Sequence, residues 1–314
     1  MKYLQPSETK TYSGIKLFTD LVGKRITPGL LWHSPSNRAK FALRSIFTPV
    51  STFRLLDSIA KTPICHDILK KQPSLPCKLH RPYLSINFNC KQIVGALSEH
   101  YEILLQQLVP NVINNIFNTE GYLLATIQGK NELFNIHIAS LDNLNKEGEL
   151  SLYMTSQDNV ILAKCAFTLL TVNGKRTLFI GVLQGPAKND NSLDVIRNAT
   201  KECHGLFPKR LLIESICRFA EHVNCEQILA VSNETHIYRS IRYWYKKKHL
   251  MVADYNAFWE SINGIRKEDN DFHLPSNIER KSLDDIPSKK RAEYRRRYQL
   301  LDDLDNHLRI SLIG

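Results

Sequence analysis

A strand that stops at a glycine, followed by a helix whose leading N–H groups face the gap, can hold an anion. The first amides of a helix lack intrahelical acceptors and carry the positive end of its dipole. The chain has such an arrangement: Leu178-Phe179-Ile180-Gly181-Val182-Leu183 runs into Gln184-Gly185-Pro186, and His204-Gly205-Leu206-Phe207-Pro208-Lys209 opens a helix, with Lys209 and Arg210 adding charge. Ordinary turn and packing roles account for Gly181, Gly185 and Gly205 as well. A second group interleaves aromatic and basic side chains: Tyr238, Arg239, Arg242, Tyr243, Trp244, Tyr245, Lys246, Lys247, Lys248 and His249. Such a patch suits stacked single-stranded bases or lipid headgroups, or it is a basic hairpin whose aromatics pack inward. A third lies in the tail, where Lys289, Lys290, Arg291, Arg295, Arg296 and Arg297 crowd together.

Other chemistries lack their residues. The 11 histidines include no HExxH pair, and neither GxSxG nor a Walker lysine motif occurs, which argues against metallohydrolase, serine hydrolase and nucleotidase readings. Cys203 and His204 are neighbours, and adjacent helical residues point about 100° apart, too far for a nucleophile and its base. The 7 cysteines form no CxxC and are odd in number, consistent with reduced thiols in the cytosol.

Charge is unevenly placed along the 314 residues, whose formal total is +11. Residues 1–89 carry 14 basic and 4 acidic side chains, residues 90–160 carry 3 and 8, and residues 161–314 carry 25 and 19. Basic ends flank an acidic middle, which suggests an anionic partner: an acidic protein, RNA or anionic envelope lipid. Pro6, Glu8 and Lys10 stand where a secretory leader would be apolar, and no apolar run reaches the ~20 residues of a membrane span, so a cytoplasmic location is expected.

The positioning elements follow from periodicity. No acid falls between Asp20 and Asp57, and two amphipathic helices are read there. Ser36 caps the first, with Ala39, Leu43, Ile46 and Phe47 on one face; Pro49 separates it from the second, which presents Phe53, Leu56 and Ile59, and both faces are expected to be buried in the protein rather than laid on a membrane or a partner. Residues 73–82 read as a loop and 93–108 as a helix. Five strands follow at 122–128, 133–139, 149–155, 160–172 and 176–184, and Asn173-Gly174 supplies the two positive φ angles of a type I′ hairpin. Helices are expected at 192–203, closed by Gly205, and from Pro208 to a left-handed Asn224. A strand at 227–231, a helix at 256–262 and a strand at 272–274 complete the core. A final helix from Ser288 carries Tyr294, Tyr298, Leu301, Leu304 and Leu308 on one stripe. Its bases crowd the positive end of the dipole, so they call for an external anion or for docking on the acidic middle segment.

This is an α+β chain: a mainly antiparallel sheet with a late helix crossover, a basic helix-rich region at 1–115, a core at 116–280 and a basic C-terminal helix at 281–314. The strand and helix order, with Leu229-Ala230-Val231-Ser232-Asn233 after the cradle helix, resembles the GCN5-related acetyltransferase fold. That resemblance implies acyl-coenzyme A held at Gln184, Gly185, Gly205 and Lys209, with Asn233 contacting the coenzyme and Tyr238 as general acid. The chain departs from that fold in lacking the Arg/Gln-x-x-Gly-x-Gly/Ala loop and in carrying an extra helix at 192–203.

A longer likeness covers residues 178–300. Phe179-Ile180-Gly181-Val182-Leu183-Gln184-Gly185-Pro186, Ala199-Thr200-Lys201 with His204-Gly205-Leu206, Ala230-Val231-Ser232-Asn233 with His236-Ile237-Tyr238, and Asp254-Tyr255-Asn256-Ala257-Phe258-Trp259 occur in order. With the tail Ile286-Pro287-Ser288-Lys289-Lys290-Arg291-Ala292-Glu293-Tyr294, they resemble the VirK/YbjX family of Gram-negative bacteria. The resemblance implies a virulence role: production or surface display of outer-membrane virulence proteins, and resistance to cationic antimicrobial peptides. It implies no established reaction. Three functions stay open: a binding accessory factor, an acyltransferase, and an RNA-binding regulator that uses Arg242, Lys246, Lys247, Lys248, Lys289, Lys290 and Arg291.

Overall fold

Helix-start chemistry organises the first third of the chain. The computed structural model describes residues 12–187, 192–247 and 254–313; the leader reading of the first residues lies outside them, as does Lys248. The helices are α1 (Gly14–Val22), α2 (Pro35–Phe47), α3 (Pro49–Lys61), α4 (Cys65–Lys71), α5 (Cys90–Gln107) and α6 (Pro110–Asn115). Prolines open α2, α3 and α6, where a missing N–H costs nothing. An Asn89–Gln92 capping box starts α5.

Two expectations for this region are corrected. The cap of α2 is Ser34, which accepts from the Asn37 amide, because Pro35 already provides the first helical φ and the helix starts ahead of Ser36. The buried face of α2 is not the one carrying Leu43, Ile46 and Phe47, which are exposed; Phe41 and Ser45 turn inward instead. Phe41 sets that rotation by packing edge-on to Trp32 at 5.1 Å and against Phe18 at 5.5 Å. The expected loop at 73–82 contains a 3₁₀ turn, Leu75–His80, whose Leu75 and Leu79 are drawn into the core.

Strands β1 (Tyr122–Gln128), β2 (Leu133–Ala139), β3 (Leu150–Ser156), β4 (Ile161–Val172) and β5 (Lys175–Gln184) form an antiparallel meander. Asn173 and Gly174 join the last two at φ 52° and 77°, as the turn chemistry required. The chain then leaves the sheet through α7 (Ser192–Glu202) and α8 (Pro208–His222), the latter followed by a left-handed Asn224. It returns as β6 (Gln227–Ala230), parallel to β5. After α9 (Ile241–Lys247) and α10 (Tyr255–Glu260), the strands β7 (Ile265–Arg266) and β8 (Phe272–Leu274) complete the order β1-β2-β3-β4-β5-β6-β8-β7.

Alternation along β5 divides the core between two faces. Phe179 points to the N-terminal helices, with Leu170, Leu229 and Val231; Leu178 and Ile180 point to α8 and to the tail helix α11 (Ser288–Ile313). Leu301, Leu304 and Leu308 of α11 are buried, and Ser311 Oγ donates to the Leu124 carbonyl of β1. The tail therefore packs its leucines on β1 of the acidic middle segment and on α8, and no ion pair joins it to that segment among the described residues. Its acidic half pairs elsewhere, Asp302 with Arg280 at 2.7 Å and Asp305 with Arg218 at 3.5 Å.

Candidate active site at the parting of two parallel strands

Parallel pairing of β5 and β6 runs from Thr177–Gln227 to Ile180–Ala230, and the Val231 amide extends it by donating to the Ile180 carbonyl at 3.0 Å. There the partnership ends, while β5 continues to Gln184. The wedge between them is occupied by α10: Trp259 Nε1 donates to the Val231 carbonyl at 2.8 Å, and the Tyr255 hydroxyl meets the Leu183 backbone. Asp254 starts α10 by accepting from the Ala257 amide.

Past the end of β5 lies a cavity of about 440 Å³, walled by Gly185, Phe207, Lys209, Arg210, Phe258 and Ile262. Phe207, the residue before α8, offers its amides no side-chain cap, and Pro208 has no N–H, so the Lys209 and Arg210 amides lack helical acceptors. Burial lowers the pKa of the Lys209 ammonium, and Arg210 Nε donates to Glu214 at 3.1 Å. An anion here would gain two amides, a poorly hydrated ammonium and a helix dipole.

Against Tyr255 of α10 packs a polar cluster that sequence reasoning half missed. Glu147 lies three residues before β3 and is almost wholly buried; burial raises its pKa against the pull of the Tyr238 hydroxyl bonded to it. Tyr238, in a 3₁₀ turn at Ile237–Arg239, is pushed above the ordinary phenol range by burial and by Glu147. His236 accepts the Tyr238 amide at Nδ1, stacks on Tyr255 at 5.6 Å, and is pushed down to about 4 by burial and Arg239. Glu147 Oε2 and His236 Nε2 are closed off from solvent with no hydrogen-bond partner among the described residues. A carboxylate with a raised pKa, a neutral imidazole and a protonated phenol are the groups of general acid–base chemistry.

Gly181 explains how Glu147 comes to be there. A Cβ at this position would overlap the Glu147 carbonyl oxygen, so the loop before β3 rests directly on bare β5 backbone. Gly181→Ala is expected to lower the urea midpoint by an amount equivalent to about 2 kcal/mol or more and to displace Glu147. An unchanged midpoint would show that the loop moves away freely.

The other residues singled out from sequence have separate places. Gln184 ends β5 opposite Lys164. Gly205 (φ 82°) lies against Arg297 of α11, which donates from Nε and Nη2 to the His204 carbonyl at 3.0 and 2.8 Å. Asn233 is spent on α10: its Nδ2 donates to Asp254, its Oδ1 accepts the Tyr255 amide, and its own amide donates to Asn256. Arg242 Nη1 donates to the His80 carbonyl, and Lys246 and Lys247 close α9. Arg291 bonds the Ile286 and Asp284 carbonyls of its own segment, while Lys289 and Lys290 stand exposed. The structure thus brings Gly185 to Lys209, and Tyr238 to Glu147, but Gly205 to neither. Glu147 left no mark in the sequence, because a glutamate beside a lysine reads as surface.

Among the described residues no helix is long and apolar enough to cross a membrane, and no three His, Cys, Asp or Glu side chains group as metal ligands.

The family described as protein of unknown function DUF535 matches residues 31–309. An uncharacterized protein YbjX of Escherichia coli K12 is 45% identical over 310 residues, covering 98% of this chain and 93% of that one. An uncharacterized protein of Haemophilus influenzae is 28% identical over 217 residues, 69% of this chain and 70% of its own length. With a family match across most of its length and a near-full-length relative at this identity, the chain belongs to the DUF535, or VirK/YbjX, family.

Proposed function

We propose that this protein is an acyl-coenzyme-A-dependent acyltransferase built on the GCN5-related fold. The observation that carries the reading is the parting of β5 from β6 after Ile180–Val231, beside a cavity that ends on the uncapped start of α8. The residues fit the coenzyme. The Lys209 and Arg210 amides and the Lys209 ammonium suit its pyrophosphate, and Phe258, Ile262 and Leu162 form an apolar wall for its arm. The Tyr255 hydroxyl already holds the Leu183 backbone, so the arm has to skirt that ring.

When bound, the coenzyme supplies an activated acyl thioester. The chain would supply proton handling: the Glu147 carboxylate would accept the proton lost by the acceptor's amine or hydroxyl, and the Tyr238 hydroxyl would return one to the coenzyme's thiol. Burial raises the pKa of both groups, which keeps Tyr238 protonated and makes the ionised Glu147 carboxylate a stronger base. The cysteine pattern supports a cytoplasmic setting, and the family resemblance a role in which this chemistry serves the production or display of outer-membrane virulence proteins and resistance to antimicrobial peptides.

Thermal shift with acetyl- and longer acyl-coenzyme A tests the reading. Ligand at 100 times its Kd should stabilise by about 2.7 kcal/mol. Lys209→Ala should shrink that shift, while Glu147→Gln should keep it and lose acyl transfer. No shift at millimolar ligand would sink the proposal. In that case the exposed Lys289, Lys290, Arg295 and Arg296 of α11 favour a binding factor for an acidic protein or RNA. Retention on RNA with a steep salt slope marks the latter.

A further inference from the structure

Phe41 and Ser45 bind α2 to the protein, and at about 100° per residue Leu43, Ile46 and Phe47 fall on the opposite side of the helix. They are 59%, 70% and 79% exposed, and Val50, in the first turn of α3, is 62% exposed. Four large apolar side chains within eight residues is an unusual concentration to leave in water. Lys40 and Arg44 flank them on α2, and Arg54 stands one turn beyond Val50 on α3, all three exposed. No acid lies between Asp20 and Asp57, and those two are taken by Lys16, Arg25 and Lys61. The three cations face outward beside the apolar row.

We propose that this face, the outer side of α2 with the start of α3, docks on the surface of an anionic phospholipid bilayer. An apolar row edged by long basic side chains matches the two layers of that surface. Leu43, Ile46 and Phe47 enter the acyl boundary, while Lys40, Arg44 and Arg54 reach the phosphates. A nucleic acid would satisfy the cations and leave the aliphatic groups without an apolar layer. The binding is peripheral, since the helix that carries it is 13 residues long and anchored along its inner side. The face shares no residue with the cavity or the Glu147 cluster, so it stands or falls apart from acyl transfer.

The test is flotation of the full chain with vesicles of phosphatidylcholine alone and with about 30% phosphatidylglycerol. Binding is expected to the anionic vesicles only and to weaken with salt. Ile46→Ser with Phe47→Ser should reduce partitioning about tenfold or more with an unchanged melting temperature. Lys40→Ser with Arg44→Ser should abolish the lipid preference. Independently of those variants, Phe47→Trp emission should be quenched by brominated acyl chains. Absence of flotation with anionic vesicles overturns the proposal, and so does flotation that the apolar pair of substitutions leaves untouched. A self-associated form that Phe47→Ser disperses, in protein that ignores vesicles, would instead assign the face to a second copy.

Discussion

Glu149→Ala is expected to cost about 3–5 kcal/mol, because it removes the partner of the buried Lys78 ammonium, which must then stay unpaired or give up its proton inside the protein. Lys78, from the 3₁₀ turn, and Glu149, immediately before β3, are ion-paired with no side-chain exposure at all. Lys78 also donates to Gln72 Oε1 at 2.5 Å, and the Tyr101 hydroxyl donates to Glu149 Oε2 at 2.6 Å. Gln72 Nε2 in turn reaches Ser140 Oγ and the Glu149 carbonyl. Burial pushes the Lys78 ammonium down to about 8 against the pull of Glu149; burial pushes the Glu149 carboxyl up, but Lys78 and His100 outweigh it and hold it low. The pair fastens the N-terminal helices to the sheet, so its loss should open that junction. Lys78→Met combined with Glu149→Leu removes both charges and should recover most of the loss, since matched apolar groups replace buried pairs well. The urea midpoints of the single and double variants measure this. If Glu149→Ala costs under about 1 kcal/mol, the pair does not organise the junction.

Acid should unfold the protein through two buried histidines. His100 accepts the Leu169 amide at Nδ1 and His236 accepts the Tyr238 amide, and burial holds each neutral with a pKa near 4. Both folded values lie below the unfolded value of about 6.5. The stability tied to the neutral forms is therefore complete above about pH 6.5 and drains as pH falls toward 4, by on the order of 3 kcal/mol for each ring. Glu147 has the opposite sign: its raised pKa gives stability below its unfolded value that is lost as pH rises through the folded one. Melting temperatures between pH 7 and pH 4 should fall steeply for the native chain and less for His100→Gln. Parallel curves would mean that His100 is not the titrating group.

Local chemistry made much of the fold legible. The meander came from period-two runs and from Asn173-Gly174, whose two positive φ angles few other pairs adopt. The crossover helix came from Pro208 and Asn224, which mark its ends by what they can and cannot do with φ and N–H. Half of the candidate site was equally visible, since Gly185, Lys209 and Tyr238 announce turns, charge and a hydroxyl. Glu147, Glu149 and Lys78 were not visible, because acids and lysines default to solvent and only a partner from a distant segment makes their burial tolerable. The rotation of α2 was misread for a related reason. Its outer face is the more apolar by residue type, yet Phe41 found Trp32 and Phe18.

The amino-acid order by itself determined the five meander strands, the crossover helix from Pro208 and the tail helix, that the sheet is mostly antiparallel, and that basic ends surround an acidic centre. Those properties rest on φ preferences, side-chain periodicity and net charge, which act over a few residues. Tertiary packing alone decided that β6 leaves β5 after Ile180, that Gly181 admits Glu147, and that Lys78 meets Glu149. Each of these joins groups dozens of residues apart, and their free energy exists only once desolvation and closure have brought them into contact.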